Sequence, residues 1–291
     1  MSDLRQRFFI ENSPVRGEVV HLEEALQTIL AQRNYAPAIQ ILVGEMLSAT
    51  ALLASTLKIK GRISLQIQAS GTFKWGMAEC NHLGEVRALA DYEQDPRFDT
   101  AVDSSTVLAT LVNPVLFINI EPEIGERYQG IVPLDQPNLA GCLMQYYDLS
   151  AQIPTRIALA SDTKCAAGLL IQLLPRNNEE EQKIVDEDLW PRLTVLTETL
   201  KSEELTALDA NEILYRLYNE EDVRLPEAEK LKFGCTCSKE RCANALKQIG
   251  VESVRETLEH QNPITMDCQF CNARYIFTAE QALGLFGEHL S

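Results

Sequence analysis

Histidine and positive charge are the two things this chain has little of. Four histidines, His21, His82, His260 and His289, are scattered over 291 residues with no catalytic spacing, and no phosphate-cradling loop or nucleophile motif accompanies them. They read as surface or loop residues; no catalytic residue is assigned and no enzymatic activity is expected. Lys and Arg number 26 against 42 Asp and Glu, a formal net charge of −16. Binding to a phosphate backbone rests on clustered basic side chains, so nucleic acid is not an expected partner. Long apolar runs are missing as well. The most apolar stretch, Ala36 to Leu57, is interrupted by Gln40, Glu45, Ser48, Thr50, Ser55 and Thr56, which fits a buried helix rather than a membrane span. The opening residues Met1 to Arg7 reach charge at once, without an apolar run before a small-residue cleavage site. The expected location is therefore the cytoplasm, away from any membrane.

What the chain does have is eight cysteines. In a reducing compartment most would stay thiols, which favours metal or redox chemistry over a disulfide framework for any that cluster. Four do, in two tight pairs: Cys235-Thr236-Cys237 and Cys268-Gln269-Phe270-Cys271. Four thiolates grouped two and two suit one tetrahedral zinc ion with no open position for water. Structural zinc fits better than an iron–sulfur cluster, since the spacing does not match the ferredoxin runs. The same grouping lets neighbouring thiols oxidise once the metal leaves, so the site is either a staple or a switch. Cys242, on a predicted helix, reads as a packed small hydrophobe, and Cys80, Cys142 and Cys165, in apolar contexts, as core residues.

The chain reads as α+β in three segments. Residues 1–177 form an N-terminal core, a mostly antiparallel sheet covered by helices. Leu22, Ala25, Leu26, Ile29 and Leu30 share helical spacing, and Pro37 opens a longer helix to about Lys58, stopped by Gly61. Strict alternation from Ile63 to Ala69 marks a strand. Further strands are expected at Trp75 to Cys80, Glu85 to Tyr92, Val115 to Glu121, Gly130 to Leu134, Thr155 to Ala160 and Ala166 to Leu174, with a helix at Leu139 to Tyr147.

Pro175-Arg176-Asn177-Asn178 followed by Glu179-Glu180-Glu181 marks a boundary. Residues 178–232 hold 7 basic and 16 acidic side chains, against 14 and 19 in residues 1–177 and 5 and 7 in residues 233–291. Over half the net charge thus sits in this linker. Leu189, Leu193, Leu196 and Leu200 share a helical face, and Asp209 with Glu212 forms a capping box before Ile213, Leu214, Leu217 and Tyr218. These apolar faces need a surface to rest on, and the N-terminal sheet is the obvious one. A plain pair of surface helices is the simpler alternative. Residues 233–291 form a small C-terminal zinc-binding domain, with helices at Glu240 to Ile249 and Val251 to Leu258 and a strand at Tyr275 to Phe277. A module this short is near the size at which a metal is needed for stability. Zinc contributes about 10–16 kcal/mol to such modules, against roughly 5–15 kcal/mol of net stability for a whole domain. Losing it should unfold the segment and release any helices braced on it.

With these residues in view, the chain closely resembles the bacterial thirty-three-kilodalton heat-shock protein family of redox-regulated holdase chaperones. The resemblance includes Val15-Arg16-Gly17, Gly44-Glu45-Met46-Leu47 through Gly61-Arg62, Glu126-Arg127-Tyr128-Gln129-Gly130-Ile131-Val132-Pro133-Leu134, and Cys235 through Cys242. It implies that Cys235, Cys237, Cys268 and Cys271 bind one zinc ion in a reduced, inactive protein. It further implies that oxidants form Cys235–Cys237 and Cys268–Cys271 disulfides, release the metal and unfold the linker. The active form would be a homodimer that holds unfolded or misfolded clients without ATP and passes them to the seventy-kilodalton heat-shock chaperone system. Two other readings compete. One is a binding module using zinc only as a staple; the other is a dithiol oxidoreductase built on Cys268 and Cys271, which lacks the expected βαβ context.

Overall fold

The structure is a computed structural model that describes residues 3–56, 60–100, 103–175 and 186–287. The expected extension of the second helix to Lys58, the boundary at 177/178, the acidic run Glu179 to Glu181 and His289 lie outside the described residues. Two compact units divide the chain, Met1–Gly234 and Cys235–Ser291.

In the first unit the order is β1 (Leu4–Ile10), β2 (Val15–Leu22), α1 (Glu24–Leu30), α2 (Pro37–Thr56), β3 (Gly61–Ser70), β4 (Phe73–Asn81), β5 (Glu85–Tyr92), α3 (Pro96–Thr100), α4 (Ser105–Leu108), β6 (Val112–Pro122), β7 (Tyr128–Pro133), α5 (Leu139–Tyr146), β8 (Thr155–Ser161) and β9 (Ala166–Leu173). Then come α6 (Leu189–Glu198), α7 (Ser202–Ala207), α8 (Ala210–Tyr218) and three two-residue strands, β10 (Val223–Arg224), β11 (Glu229–Lys230) and β12 (Lys232–Phe233). There are two six-stranded sheets rather than one. The first runs β10-β1-β2-β9-β8, with β11 also on β1; the second runs β12-β5-β4-β3-β6-β7. All pairings are antiparallel except β12 with β5.

Helix α2 lies against strands of both sheets. Pro37 starts it, where a missing N–H costs nothing. It is long and apolar enough to cross a membrane, but 83% of its apolar window is buried inside the protein. Its surroundings explain the composition: Leu42, Met46, Leu47 and Leu52 join Leu65, Ile67 and Ala78 from one sheet and Val20 and Leu170 from the other in a single core. A helix enclosed on all sides carries no polar stripe.

The first sheet is covered on both faces. Its other face, with Phe8, Val19, Leu169 and Ile171, packs against Leu193, Leu205, Ile213, Leu214 and Tyr218 of α6, α7 and α8. Among its described residues the acidic segment thus holds three helices, not two, and Leu200 falls past the end of α6. Burial on both faces also explains why β2 escapes a period-two reading: six of its last six residues are buried, and such strands lose their alternation. Leu22, expected on the first helix, ends β2 instead. Phe8 lies opposite Gly17 in the β1–β2 register, and a Cβ at Gly17 would sit 2.1 Å from the Phe8 ring. Glycine is required there so that Phe8 can reach Tyr218, 5.9 Å between ring centres.

Residues 223–232, expected within a helical linker, carry short strands instead. β10 and β11 pair with β1 and β12 pairs with β5. Glu229 forms an ion pair with the buried Arg5, and Arg224 pairs with Glu11 at 2.6 Å.

The second unit contains α9 (Lys239–Ile249), α10 (Val251–His260), β13 (Ile264–Asp267), β14 (Arg274–Phe277) and α11 (Ala279–Gly284). Gly250, at φ +89°, separates α9 from α10. Among its described residues, Leu246, Val254, Ile264, Phe277 and Ala282 form the buried core, little apolar burial for an independent unit.

Candidate metal centre

The two cysteine pairs sit on two locally determined turns. In the first, Ser238 caps α9 by accepting from the Arg241 N–H at 3.1 Å. Arg241 reaches back to donate to the Thr236 carbonyl at 3.0 Å, fixing the residue between Cys235 and Cys237. In the second, the β13–β14 hairpin is closed by Asp267 and Arg274, paired in register and bonded at 2.8 Å. The intervening turn is held by Cys268 N–H to Ala273 O at 2.9 Å and Asn272 N–H to Cys268 O at 2.8 Å. Asn272 takes a left-handed φ of +55°, which asparagine tolerates better than most residues.

These turns bring all four sulfurs within 4.8 Å of one another. Two of the close approaches run between the pairs: Cys235 to Cys268 at 3.6 Å and Cys237 to Cys271 at 3.4 Å. Zinc–sulfur bonds of about 2.3 Å in a tetrahedron would separate the sulfurs by about 3.8 Å, whereas a disulfide needs about 2.05 Å. All four are free thiols, and donor type, number and spacing fit a tetrahedral cation. The electrostatics agree. Burial raises the Cys235 thiol, but hydrogen bonds from Cys237, Cys268 and Cys271 outweigh it and bring it down to about 7. Burial pushes Cys271 up to about 12, and its bonds to the same sulfurs add to the rise.

One contributor was not legible from the cysteine spacing. Tyr275, noted only as part of a strand, donates its hydroxyl to Cys237 Sγ at 3.1 Å. Its position on β14, four residues past Cys271, was the available signal. Cys242 is outside the four-sulfur group and packs with Ala243 and Leu258 on the small core, as expected of a small hydrophobe. Cys80, Cys142 and Cys165 are buried, also as expected. His21 corrects the reading of the histidines: it is buried in β2 and bonded to Thr206 O at 2.9 Å.

The first cysteine, Cys235, directly follows the first unit, whose last elements carry the docked acidic helices. Polar contacts also tie these helices to one another. Thr197 donates to the Leu193 carbonyl at 2.7 Å, so Tyr218, 2.6 Å away, donates to Thr197. Arg192 gathers Asp186 at 2.9 Å and Glu221 at 2.8 Å, which offsets part of the local excess of negative charge.

The Hsp33 protein family model matches residues 3–278. The 33 kDa chaperonin of Pseudomonas fluorescens (strain SBW25) is 41% identical over 288 residues, covering 98% of this chain and 94% of that one. That of Pseudomonas paraeruginosa (strain DSM 24068 / PA7) is 43% identical over 287 residues, covering 98% and 95%. The crystal structure of the 33 kDa chaperonin from Thermotoga maritima, at 19% identity, superposes with a TM-score of 0.83 over 98% of both chains, which shows a shared fold. With its family match spanning nearly the whole length and both cysteine pairs in place, the chain belongs to the Hsp33 protein family.

Proposed function

We propose that this protein is a cytoplasmic, ATP-independent holdase, silent when reduced and zinc-bound and activated by oxidation. The observation that carries the reading is the four-sulfur cluster, beginning at the residue that follows a unit whose acidic helices cover an apolar sheet face. Cys235, Cys237, Cys268 and Cys271 would hold one zinc ion, whose bonds supply the stability that the small described core of the second unit lacks.

Oxidation by a peroxide proceeds on the thiolates. One sulfur attacks the peroxide oxygen, giving a sulfenic acid and hydroxide; its neighbour attacks that sulfur, expelling a second hydroxide and closing a disulfide. Each disulfide takes two electrons from the protein and leaves two waters once protons are added. The pairs closed are Cys235–Cys237 and Cys268–Cys271, the partners nearest in sequence, and the donor set for zinc is then gone.

Residues 178–232 act as the responsive linker in this reading. Leu193, Leu205, Ile213 and Tyr218 leave the sheet, and Phe8, Val19, Leu169 and Ile171 are uncovered with them. Apolar area of this kind is what unfolded or misfolded clients bind. The active form is a homodimer that passes its clients to the ATP-dependent seventy-kilodalton chaperone system.

The coupling is tested with a Cys268→Ser/Cys271→Ser double variant kept under reductant. Loss of zinc together with protease cutting within residues 186–222 is expected. An uncut linker in the zinc-free variant would sink the coupling.

A further inference from the structure

We infer that residues 223–234 form a clasp that stays on the N-terminal core when the acidic helices leave it, so that the released part of the chain ends at Asp222. The clasp presupposes the switch proposed above and divides its linker, residues 178–232, into a stretch that lets go and a stretch that holds.

Charge marks the division. Residues 178–222 carry 14 acidic and 4 basic side chains, whereas residues 223–234 carry 2 and 3. The like charges that oppose docking of α6, α7 and α8 therefore stop where β10 begins. Charges of the clasp are instead matched by opposite charges on the core: Arg224 by Glu11 at 2.6 Å, Glu229 by Arg5, and Lys232 by Glu85 at 3.3 Å. Exposed pairs add little strength. The Arg5 pair differs, because Arg5 is buried and also donates to the Ala51 carbonyl of α2 at 3.1 Å. Stripping a buried cation of its ion-pair partner is costly, and lifting the clasp would do that.

Packing marks the same division. The helices rest with Leu193, Leu205, Ile213 and Tyr218 on the outer face of the first sheet, whereas Leu231 is buried in the other core, the one around α2. Val223, at the junction, is the one clasp residue that packs with the helix layer. Around Leu231 the backbone is bonded to both sheets. Leu231 N–H donates to Asp3 O at 3.0 Å, just before β1; Lys232 N–H donates to Gly84 O at 3.0 Å and Gly234 N–H to Val86 O at 3.1 Å, along β5. The Gln6 side chain holds Pro226 O at 2.7 Å. The clasp passes so close to the β4–β5 turn that a Cβ on Gly84, at φ +74°, would sit 2.5 Å from Lys230 O. None of these hydrogen bonds and ion pairs uses a residue of α6, α7 or α8 or one of the four clustered cysteines.

Activation is then local. The undocked helices stay tethered through β10 to β1, in the sheet whose face they uncover. Phe8, Val19, Leu169 and Ile171 are opened while the core around α2 remains closed.

The test is hydrogen exchange of the full chain, reduced and zinc-loaded, read by mass spectrometry. Leu193→Asp/Ile213→Asp puts two carboxylates into the buried helix face and undocks α6 to α8 without oxidation. Residues 189–218 should lose protection while 226–234 keep theirs. Glu229→Gln should do the reverse, loosening 226–234 and leaving the helices protected. Joint loss of protection in both regions, in either variant, would overturn the inference. The unsubstituted protein after peroxide treatment separates this outcome from the fate of the switch. Freed helices with a protected clasp support both, and freed helices with a freed clasp overturn the clasp alone. Helices that stay protected contradict the switch, and the two reduced variants still decide the clasp.

Discussion

Tyr275 donates its hydroxyl proton to the sulfur of Cys237 at 3.1 Å, a bond that strengthens as the sulfur gains negative charge. It therefore holds the Cys237 sulfur in place as a donor. Removing such a supporting contact typically lowers metal affinity by about 10–100-fold. Tyr275→Phe should reach the lower end of that range and lose zinc to a chromophoric chelator sooner than the unsubstituted protein. Equal rates and affinities would leave the hydroxyl without a role at the centre.

Leu193 is fully buried where α6 meets the first sheet. Truncating a leucine in such a place costs about 2–5 kcal/mol, enough to undock helices that carry so many like charges. Leu193→Ala should bind a hydrophobic dye and be cut within residues 186–222 while still reduced and zinc-loaded. Retained protection would mean that the helices hold without this contact.

Gly17→Ala places a methyl group 2.1 Å from the Phe8 ring. The ring must move, and Tyr218 behind it loses its partner. Overpacking of this kind costs about 1–3 kcal/mol. The loss should appear as a lower thermal midpoint and as earlier release of α8 in hydrogen exchange.

Much of this was legible in the chain and part was not, for physical reasons. The β3 strand and the α8 capping box announce themselves because their signals are local: alternation over a few residues, or Asp209 and Glu212 three apart, with Glu212 N–H donating to Asp209 at 2.9 Å. β2 is silent because both its faces are buried. β10, β11 and β12 are silent because two residues carry no pattern and their partners, β1 and β5, lie far away in sequence. The cysteine pairs mark the candidate centre without ambiguity, but the close approaches between the pairs and the Tyr275 bond arise only when two turns meet. His21, on β2, and Cys165, in the turn before β9, come together at 3.2 Å, which no spacing in the sequence encodes.

Glu45 gives the fold a pH dependence. Its carboxylate, on the core helix α2, accepts from Ser104 at 2.6 Å. Burial pushes it from an ordinary 4.5 up to about 7, with Asp103 adding to the rise against the Ser104 bond. The folded protein then binds a proton more tightly than the unfolded chain. Its contribution to stability is complete below pH 4.5 and is lost as pH rises through about 7. Glu45→Gln, uncharged throughout, should flatten the fall of unfolding free energy across that window, measured by urea titration at several pH values. An unchanged slope would assign the pH dependence to other groups.

The most direct measurement of the proposed redox switch is light scattering from a chemically unfolded client diluted into buffer containing either the reduced, zinc-loaded protein or the same protein after peroxide treatment at mild heat. Suppression of aggregation by the oxidised form alone is the expected result. Equal suppression by both forms, or by neither, would contradict a chaperone switched by its four clustered cysteines and leave the metal as a staple.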